Sequence, residues 1–336
     1  MSNPAADRVE AFLADILAGP DELAAVLEAQ RAAIRDLPYG VTARPVWRFT
    51  GMGSSRLAAM DAAARLRAVG RDAHAQVASA SGWSPGGRDV LVVAISASGR
   101  TPETLAAVEH HLGSSFVVGL TAGGDSPLAR LSDAGIPLTG GRGETAGIAC
   151  LTYRATVAAL ALLAAEAEPE LESGGIDGAA PALAALIAGR DAWLGAAADR
   201  LDTGREIHVL GDGFRAGTLE QAALVLREGP RIAAFPFDTG DWLHAGLYTL
   251  LPGDVVLLFT GSPADDEVVR TIRARGGVVV SVGADRADVD VSVPLPPAAL
   301  ADAVVRSLVE PAVAELLAAE LWGRAGARTI RESRTG

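Results

Sequence analysis

Lysine is missing from this chain: the combined Lys and Arg total of 29 is arginine throughout. Arginine stays protonated and is no amine nucleophile, so imine chemistry through a side chain is excluded. Cysteine is almost as scarce. The one thiol, Cys150, excludes an internal disulfide framework and a cysteine-based zinc cage. It reads as a small buried residue and suits a reducing, cytoplasmic location. Aromatics make up only 4%, so any core must be aliphatic. Long apolar runs are also lacking. The most apolar stretch, Val157 to Ala165, is too short to span a bilayer, and the N-terminal residues have neither the basic nor the apolar region of a signal peptide. Positive charge is in deficit, with a net charge of −12 and a pI near 4.9. No nucleic-acid or membrane partner is therefore expected, and a bound anion would have to be held by local donors.

What is present is a large hydrophobic fraction, 49% of 336 residues, mostly Ala, Val and Leu. That length suits two domains of about 150 residues. Helical spacing of Val9, Phe12, Leu13, Ile16, Leu23, Val26 and Leu27 predicts two N-terminal helices broken at Gly19-Pro20. Val-rich runs at Val90 to Ile95 and Val255 to Phe259 predict parallel strands buried on both faces. One long helix is expected from Pro181 to Arg200, and another from Pro297 to Trp322. The halves look alike: "RFTGMGSSRLAAMDAAARLRAVG" faces "IHVLGDGFRAGTLEQAALVLREG", and "VLVVAISASGRTPETLAAVEHH" faces "VVLLFTGSPADDEVVRTIRARG". This points to an internal duplication of an alternating β/α unit. The expected fold is α/β: two doubly wound parallel-sheet domains, flavodoxin-like and three-layered α/β/α. The expected organisation is N-terminal helices over 1–44, a first domain over 45–168, a linker and helix over 169–200, a second domain over 201–322, and a tail over 323–336.

Ligands of such sheets sit beyond the carboxyl ends of the strands, so the strand-to-helix turns matter most. Ser96-Ala97-Ser98-Gly99-Arg100-Thr101 follows a buried strand and opens a helix. Unsatisfied amides at the helix start, a glycine that permits close approach and uncharged hydroxyls would together cradle a phosphate. The plainer alternative is that Ser98 or Thr101 merely caps the helix. Gly51-Met52-Gly53-Ser54-Ser55 is a second such turn, with Ser54 as the candidate N-cap and Ser55 facing the crevice. Gly211-Asp212-Gly213-Phe214-Arg215-Ala216, with Asp238 after the next strand, fits the dinucleotide fingerprint. The match is short, however, and Asp212 would set a carboxylate beside the pyrophosphate, so no nicotinamide or other cofactor is expected. Glu228 and His244 offer a carboxylate and an imidazole suited to proton transfer.

Taken together, Gly53-Ser54-Ser55, Ser96 to Thr101, Leu226-Arg227-Glu228 and His244 resemble tandem sugar isomerase (SIS) domains. The sequence is similar to the isomerase half of glucosamine-6-phosphate synthase and to fructosamine-6-phosphate deglycases, from about Arg48 to the C-terminus. The resemblance implies that Ser96, Ser98 and Thr101 hold a sugar phosphate, with Ala97 and Gly99 contributing backbone. Gly53, Ser54 and Ser55 would line the same site. Glu228 would move a proton between adjacent sugar carbons, and His244 would open the ring, entering from the partner subunit of a homodimer. The tail over 323–336 would reach the active site. The ligand would be a phosphorylated sugar or amino sugar, and glutaminase activity is not implied.

The departures from the family pattern bear on the chemistry. Val225 stands where active members carry a lysine three residues before the glutamate. Arg334 falls at or near the C-terminal lysine that can form an imine, and Ala97 replaces the usual glutamine. Glu144 to Cys150 matches the family's acidic and small-residue segment only approximately. Two readings follow: an isomerase, deaminase or deglycase working by enediol-type proton transfer, or a catalytically impaired phosphosugar sensor. His110 and His111 sit at a helix end, and His74 and His208 flank strands, so all four read as structural. Asp265-Asp266-Glu267 reads as favourable charge at a helix start, with no metal site. Gly261-Ser262-Pro263 lacks the hydroxyl pattern of the first cradle, so one sugar phosphate per chain is expected.

Overall fold

The computed structural model describes residues 4–172, 174–202 and 205–335. The chain divides into two compact units. The first comprises 20–143 and 151–180, and the second comprises 1–19, 144–150 and 181–336. Helix α1 (Pro4–Arg35) carries Pro20 inside it, where the sequence predicts a break. The proline forfeits one backbone donor, about 3 kcal/mol in a helix interior. Phe12, Ile16, Leu23 and Val26 are all buried on either side of it. At roughly 1.5–3 kcal/mol per buried side chain, their burial outweighs that loss.

The first unit continues through β1 (Val46–Gly51), α2 (Ser54–Ala68), β2 (Asp72–Val77), β3 (Val90–Ile95), α3 (Pro102–His111), β4 (Phe116–Thr121), α4 (Pro127–Leu131), β5 (Ala134–Pro137) and α5 (Leu151–Ala167). Its sheet is parallel throughout, in the order β2-β1-β3-β4-β5, which is the flavodoxin-like order. Every residue of β3 is buried, as a strand covered by helices on both faces requires. Val92, Val108, Val117 and Leu128 pack together in one part of the core.

The second unit holds α6 (Ala179–Ala188), α7 (Leu194–Leu201), β6 (Ile207–Gly211), α8 (Ala216–Glu228), β7 (Ala234–Asp238), α9 (Thr239–Trp242), β8 (Val255–Phe259), α10 (Asp265–Ala274), β9 (Val278–Gly283), β10 (Val291–Pro294), α11 (Pro297–Ala301), α12 (Ala303–Val309) and α13 (Pro311–Thr335). Its sheet order, β10-β9-β8-β6-β7, is the same winding counted from the other edge.

Two predicted long helices are broken. Between Pro181 and Arg200 the chain stops at Gly189 and makes a single tight turn over Arg190–Ala192 before α7. Trp193 is buried at that joint. Between Pro297 and Trp322, Asp302 turns extended (φ −133°, ψ 124°), and its carboxylate accepts from the amides of Val304 at 2.8 Å and Val305 at 3.0 Å. That is an N-cap, which starts a new helix. The last helix runs on to Thr335 rather than ending at Trp322. Among the described residues, no helix is long and apolar enough to cross a membrane, and no group of three or more His, Cys, Asp or Glu could hold a metal ion.

Candidate functional site

The winding of the first sheet places its two Ser-bearing turns side by side. β1 and β3 are neighbours, and their last residues, Gly51 and Ile95, pair in register. The chain leaves β1 for β2 on one side and β3 for β4 on the other, so right-handed crossovers put α2 and α3 on opposite faces. The crevice between the two turns is the switch point where such sheets bind ligands.

Glycine is required at two positions there. A Cβ on Gly51 would lie 2.9 Å from the Ile95 carbonyl oxygen and 3.0 Å from Ser55 Cβ. Gly99 adopts φ 63°, and a Cβ on it would lie 2.0 Å from Ser126 Oγ and 2.8 Å from Thr121 Oγ1.

The cradle turn is polarised. Its carbonyls are tied back into the protein: Ser96 O accepts from Gly99 N at 2.9 Å, Ala97 O from Ala122 N at 3.0 Å, and Gly99 O from Leu128 N at 3.0 Å. Thr121 Oγ1 also donates to Ala97 O at 3.2 Å. The amides of Ala97, Ser98 and Thr101 meet no acceptor among the described residues. Ser96 is buried, and its Oγ shares a hydrogen bond with Thr101 Oγ1 at 2.9 Å. Ser98 is exposed, and its Oγ accepts only from Arg100 N, at 3.2 Å. Thr101 is the N-cap of α3 by backbone but makes no side-chain cap bond, so the first-turn amides of that helix stay open. In the adjoining turn the N-cap is Gly53 (φ 50°, ψ −133°) and not Ser54, which is the first residue inside α2. The Ser54 and Ser55 hydroxyls, both partly buried, form no hydrogen bond among the described residues. Open donors and flexible hydroxyls with inward-facing carbonyls form a seat for an anion.

The corresponding place in the second unit is closed. Gly211 pairs with Phe259 at the ends of β6 and β8. Counted from that strand end, Asp265 stands where Thr101 stands in the first unit. Its Oδ2 accepts from the amides of Gly261 at 2.6 Å and Ser262 at 3.2 Å, so the chain's own carboxylate takes the donors an anion would need. Burial raises the pKa of Asp265, opposed by those two amides and by Arg286 and Arg215. Arg215 donates to both carboxylate oxygens of the fully buried Glu310, at 2.8 and 2.6 Å, and to the carbonyls of Phe259 and Thr260. Arg306 bonds Glu310 at 2.8 Å and the Thr260 carbonyl. The fingerprint-like turn is likewise occupied: Asp238 Oδ2 accepts from Gly213 N at 2.8 Å, and Asp212 Oδ1 from Phe214 N at 2.8 Å. A pyrophosphate there would face carboxylates instead of free amides.

Glu228 ends α8 and is exposed at its tip. Protein packed around its carboxyl raises its pKa, with Arg227 pulling the other way. Arg231, three residues on, is the one non-glycine residue at positive φ (59°) among those described. His244 lies in the turn after α9, exposed, with its amide donating to Asp241 O at 2.9 Å. That turn is anchored by Asp238, which caps α9, and by the fully buried Trp242, whose indole N–H donates to His208 Nδ1 at 2.8 Å. His208 therefore accepts at Nδ1 as a neutral ring, and burial lowers its pKa. His111 is also buried, with its pKa lowered by burial first and then by His110 and Arg48. His74 sits 3.2 Å from Asp72 on an edge strand, and His110 packs on Trp83. No hydrogen bond joins Glu228 to His244 among the described residues. The side chain of Arg334 lies outside the described residues. Sequence reasoning missed Thr121 and Ser126, which pin the cradle from behind, and the sealing role of Asp265, Glu310, Arg215 and Arg306.

The class defined by this fold and turn is a doubly wound α/β protein with open backbone amides at the switch point of its first sheet. Residues 48–166, which include both Ser-bearing turns, match the SIS domain family. The whole chain shares its fold with three solved structures. The C-terminal domain of glucosamine-fructose-6-phosphate aminotransferase from Francisella tularensis is 17% identical, with 94% of this chain and 96% of that one covered at a TM-score of 0.75. Tagatose-6-phosphate ketose/aldose isomerase from Escherichia coli is 18% identical, with coverage of 94% and 93% and a TM-score of 0.74. Glucosamine-6-phosphate deaminase from Thermotoga maritima is 17% identical, with coverage of 94% and 95% and a TM-score of 0.71. No curated protein matches the sequence.

Proposed function

We propose that the chain binds a phosphorylated hexose or amino hexose in the cradle Ser96 to Thr101 and acts on it by enediol-type proton transfer. The reaction would be an aldose–ketose isomerisation, or a deamination or deglycation using the same step. The observation that carries the reading is the polarised turn itself: the carbonyls of Ser96, Ala97 and Gly99 are tied back into the protein, while the amides of Ala97, Ser98 and Thr101 and the exposed Ser98 hydroxyl stay open at the switch point of the sheet. Gly53, Ser54 and Ser55 line the neighbouring turn. Glu228 is proposed as the base, and the upward shift of its pKa by partial burial strengthens it as a proton acceptor. His244 is proposed as the ring opener, supplied across a homodimer interface. Its exposure, beside the exposed Tyr248 and Leu251, supports that role. With no lysine, an amine for imine formation must come with the substrate. Phosphate anchoring fixes the sugar, and orientation alone lowers barriers by several kcal/mol.

The test is turnover of a panel of hexose 6-phosphates and 6-phosphorylated amino sugars, followed by NMR, with a Ser96→Ala/Ser98→Ala variant beside the wild type. Product from one panel member, lost in the double variant, is expected. A second reading, binding without turnover, is favoured by Val225 and Arg334 at the positions of the family's lysines. Phosphosugar-dependent thermal stabilisation with no product across the panel would select it. If the double variant keeps full affinity for every phosphosugar, both readings fall.

A further inference from the structure

Arg100 stands immediately before Thr101, the N-cap of α3. A helix N-terminus carries positive partial charge, so a cation there is unfavourable. Local misfits of this kind concentrate at functional positions. The side chain is exposed and pairs with no carboxylate among the described residues. Glu103, one turn along the helix and also exposed, forms no ion pair with it. Scarcity of partners is no explanation, because 41 acidic residues are available. The second unit shows the contrast. There the arginine at a helix start, Arg215, is neutralised by buried Glu310 at 2.6 Å, and the amides ahead of α10 are taken by Asp265. In the first unit both the arginine and the amides are left open at one place.

We infer that Arg100 is the charge partner of the bound anion and sets the seat's preference for doubly ionised over singly ionised phosphate. This deepens, and rests on, the phosphosugar reading of the same turn. Hydroxyls and amides make that choice only weakly. A serine hydroxyl can donate to an ionised oxygen or accept from a protonated one, and the amides bind any anionic oxygen. A full positive charge separates the two states by more Coulomb energy than the partial charges of the amides do. The other titratable groups near the turn are Glu103 on α3, Arg56 on α2, and Asp125 with Arg130 beside Ser126. The last two are paired with each other at 2.5 Å.

The experiment is calorimetric titration of the full chain with inorganic phosphate and with sulfate. It is run at one pH where phosphate is chiefly singly charged and one where it is chiefly doubly charged. Sulfate stays doubly charged at both and so reports any titration of the protein. The wild type is expected to hold doubly charged phosphate about 5-fold more tightly, the upper range for a solvent-facing charge pair, with sulfate affinity unchanged by pH. Arg100→Gln should weaken sulfate about 5-fold and lower the preference for doubly charged phosphate about 2-fold, because Coulomb energy scales with the anion's charge. Arg100→Lys should restore most of both. Arg100→Gln should also melt no lower than the wild type, because it removes a cation from a helix N-terminus. A purely structural arginine would lower the melting temperature. If Arg100→Gln keeps the wild-type preference and sulfate affinity while Ser96→Ala/Ser98→Ala loses binding, this inference fails and the cradle reading stands. If the wild type binds neither ion, both fail together.

Discussion

Gly99→Ala tests the geometry on which the seat depends. Alanine at φ 63° costs about 1–2 kcal/mol, because its Cβ crowds the following carbonyl. The new methyl would also fall 2.0 Å from Ser126 Oγ, 2.4 Å from Ser126 Cβ and 2.8 Å from Thr121 Oγ1. Ser126 cannot swing clear at no cost: it is buried and caps α4, accepting from Ala129 N at 3.3 Å. Overpacking of this kind adds about 1–3 kcal/mol, for a total near 2–5 kcal/mol. A unit of this size loses about 2–4 °C per kcal/mol, so a melt should show the first unit falling by on the order of 10 °C. Phosphosugar affinity should fall with it, because the amides of Ala97 and Ser98 move with residue 99. Ser126→Gly removes both serine atoms that the methyl meets and leaves the left-handed backbone. In a double-mutant cycle it should recover about 1–3 kcal/mol of the Gly99→Ala loss beyond additivity. A Gly99→Ala protein that melts and binds like the wild type, or a cycle with no coupling, would refute the argument that Ser126 and Thr121 shape the cradle.

Glu228→Gln should lower kcat by about 10²–10⁴-fold, the usual contribution of a general base, with phosphosugar affinity little changed. Because partial burial raises the Glu228 pKa and a base must be ionised, kcat/KM should rise with pH through a value displaced upward from that of a free glutamate. The same sign gives stability: a carboxyl that binds its proton more tightly when folded loses stability as pH rises through that window, and Glu228→Gln should flatten that limb. Mixing inactive His244→Ala and Glu228→Gln chains should restore about a quarter of wild-type activity if His244 acts across a two-fold interface, and none if both residues serve the same chain's site. Asp265→Thr, which copies the first unit's Thr101, should release the amides of Gly261 and Ser262 and raise phosphate stoichiometry from one toward two per chain. Unchanged stoichiometry would show that Arg215, Arg306 and Glu310 close the second place without help.

Much of the frame is legible without coordinates, and the physical reason is narrow. β3 and β8 are runs of Val, Leu, Ala, Ile and Phe with no polar residue, and only a strand covered on both faces tolerates that. The predicted limits Val90 to Ile95 and Val255 to Phe259 match the observed strands. The position of the Ser-rich turn at the end of β3 and the start of α3 is legible for a related reason, since Ser, Gly and Thr directly after such a strand mark a strand-to-helix turn. Helix breaks are less legible. Ala and Leu propagate a helix readily, so the stops at Gly189 and Asp302 and the passage through Pro20 are decided by what Trp193, the Asp302 carboxylate and the Ile16–Leu23 segment bury or bond. Ser54 looks like a cap by composition, but the chain enters α2 at a φ that only glycine takes easily. The pairing of Arg215 with Glu310 joins residues 95 positions apart, and no local pattern encodes it.

The two sheets share one winding and differ in who supplies the negative charge at the switch point. In the second unit, Asp265 and Glu310 are supplied by the chain and meet Arg215, Arg306 and two backbone amides, so the place is electrically complete. In the first, hydroxyls and open amides stand beside an unpaired Arg100 with no carboxylate in contact, and the place is incomplete until an anion arrives. A buried carboxylate that lost its partners would cost several kcal/mol, so the second arrangement holds itself shut. An exposed arginine with open amides costs little while empty and gains on binding. One backbone plan thus serves as a structural lock in one half and, on the function proposed above, as a phosphate seat in the other. The residue that decides between them is the sixth after the strand, threonine at 101 and aspartate at 265.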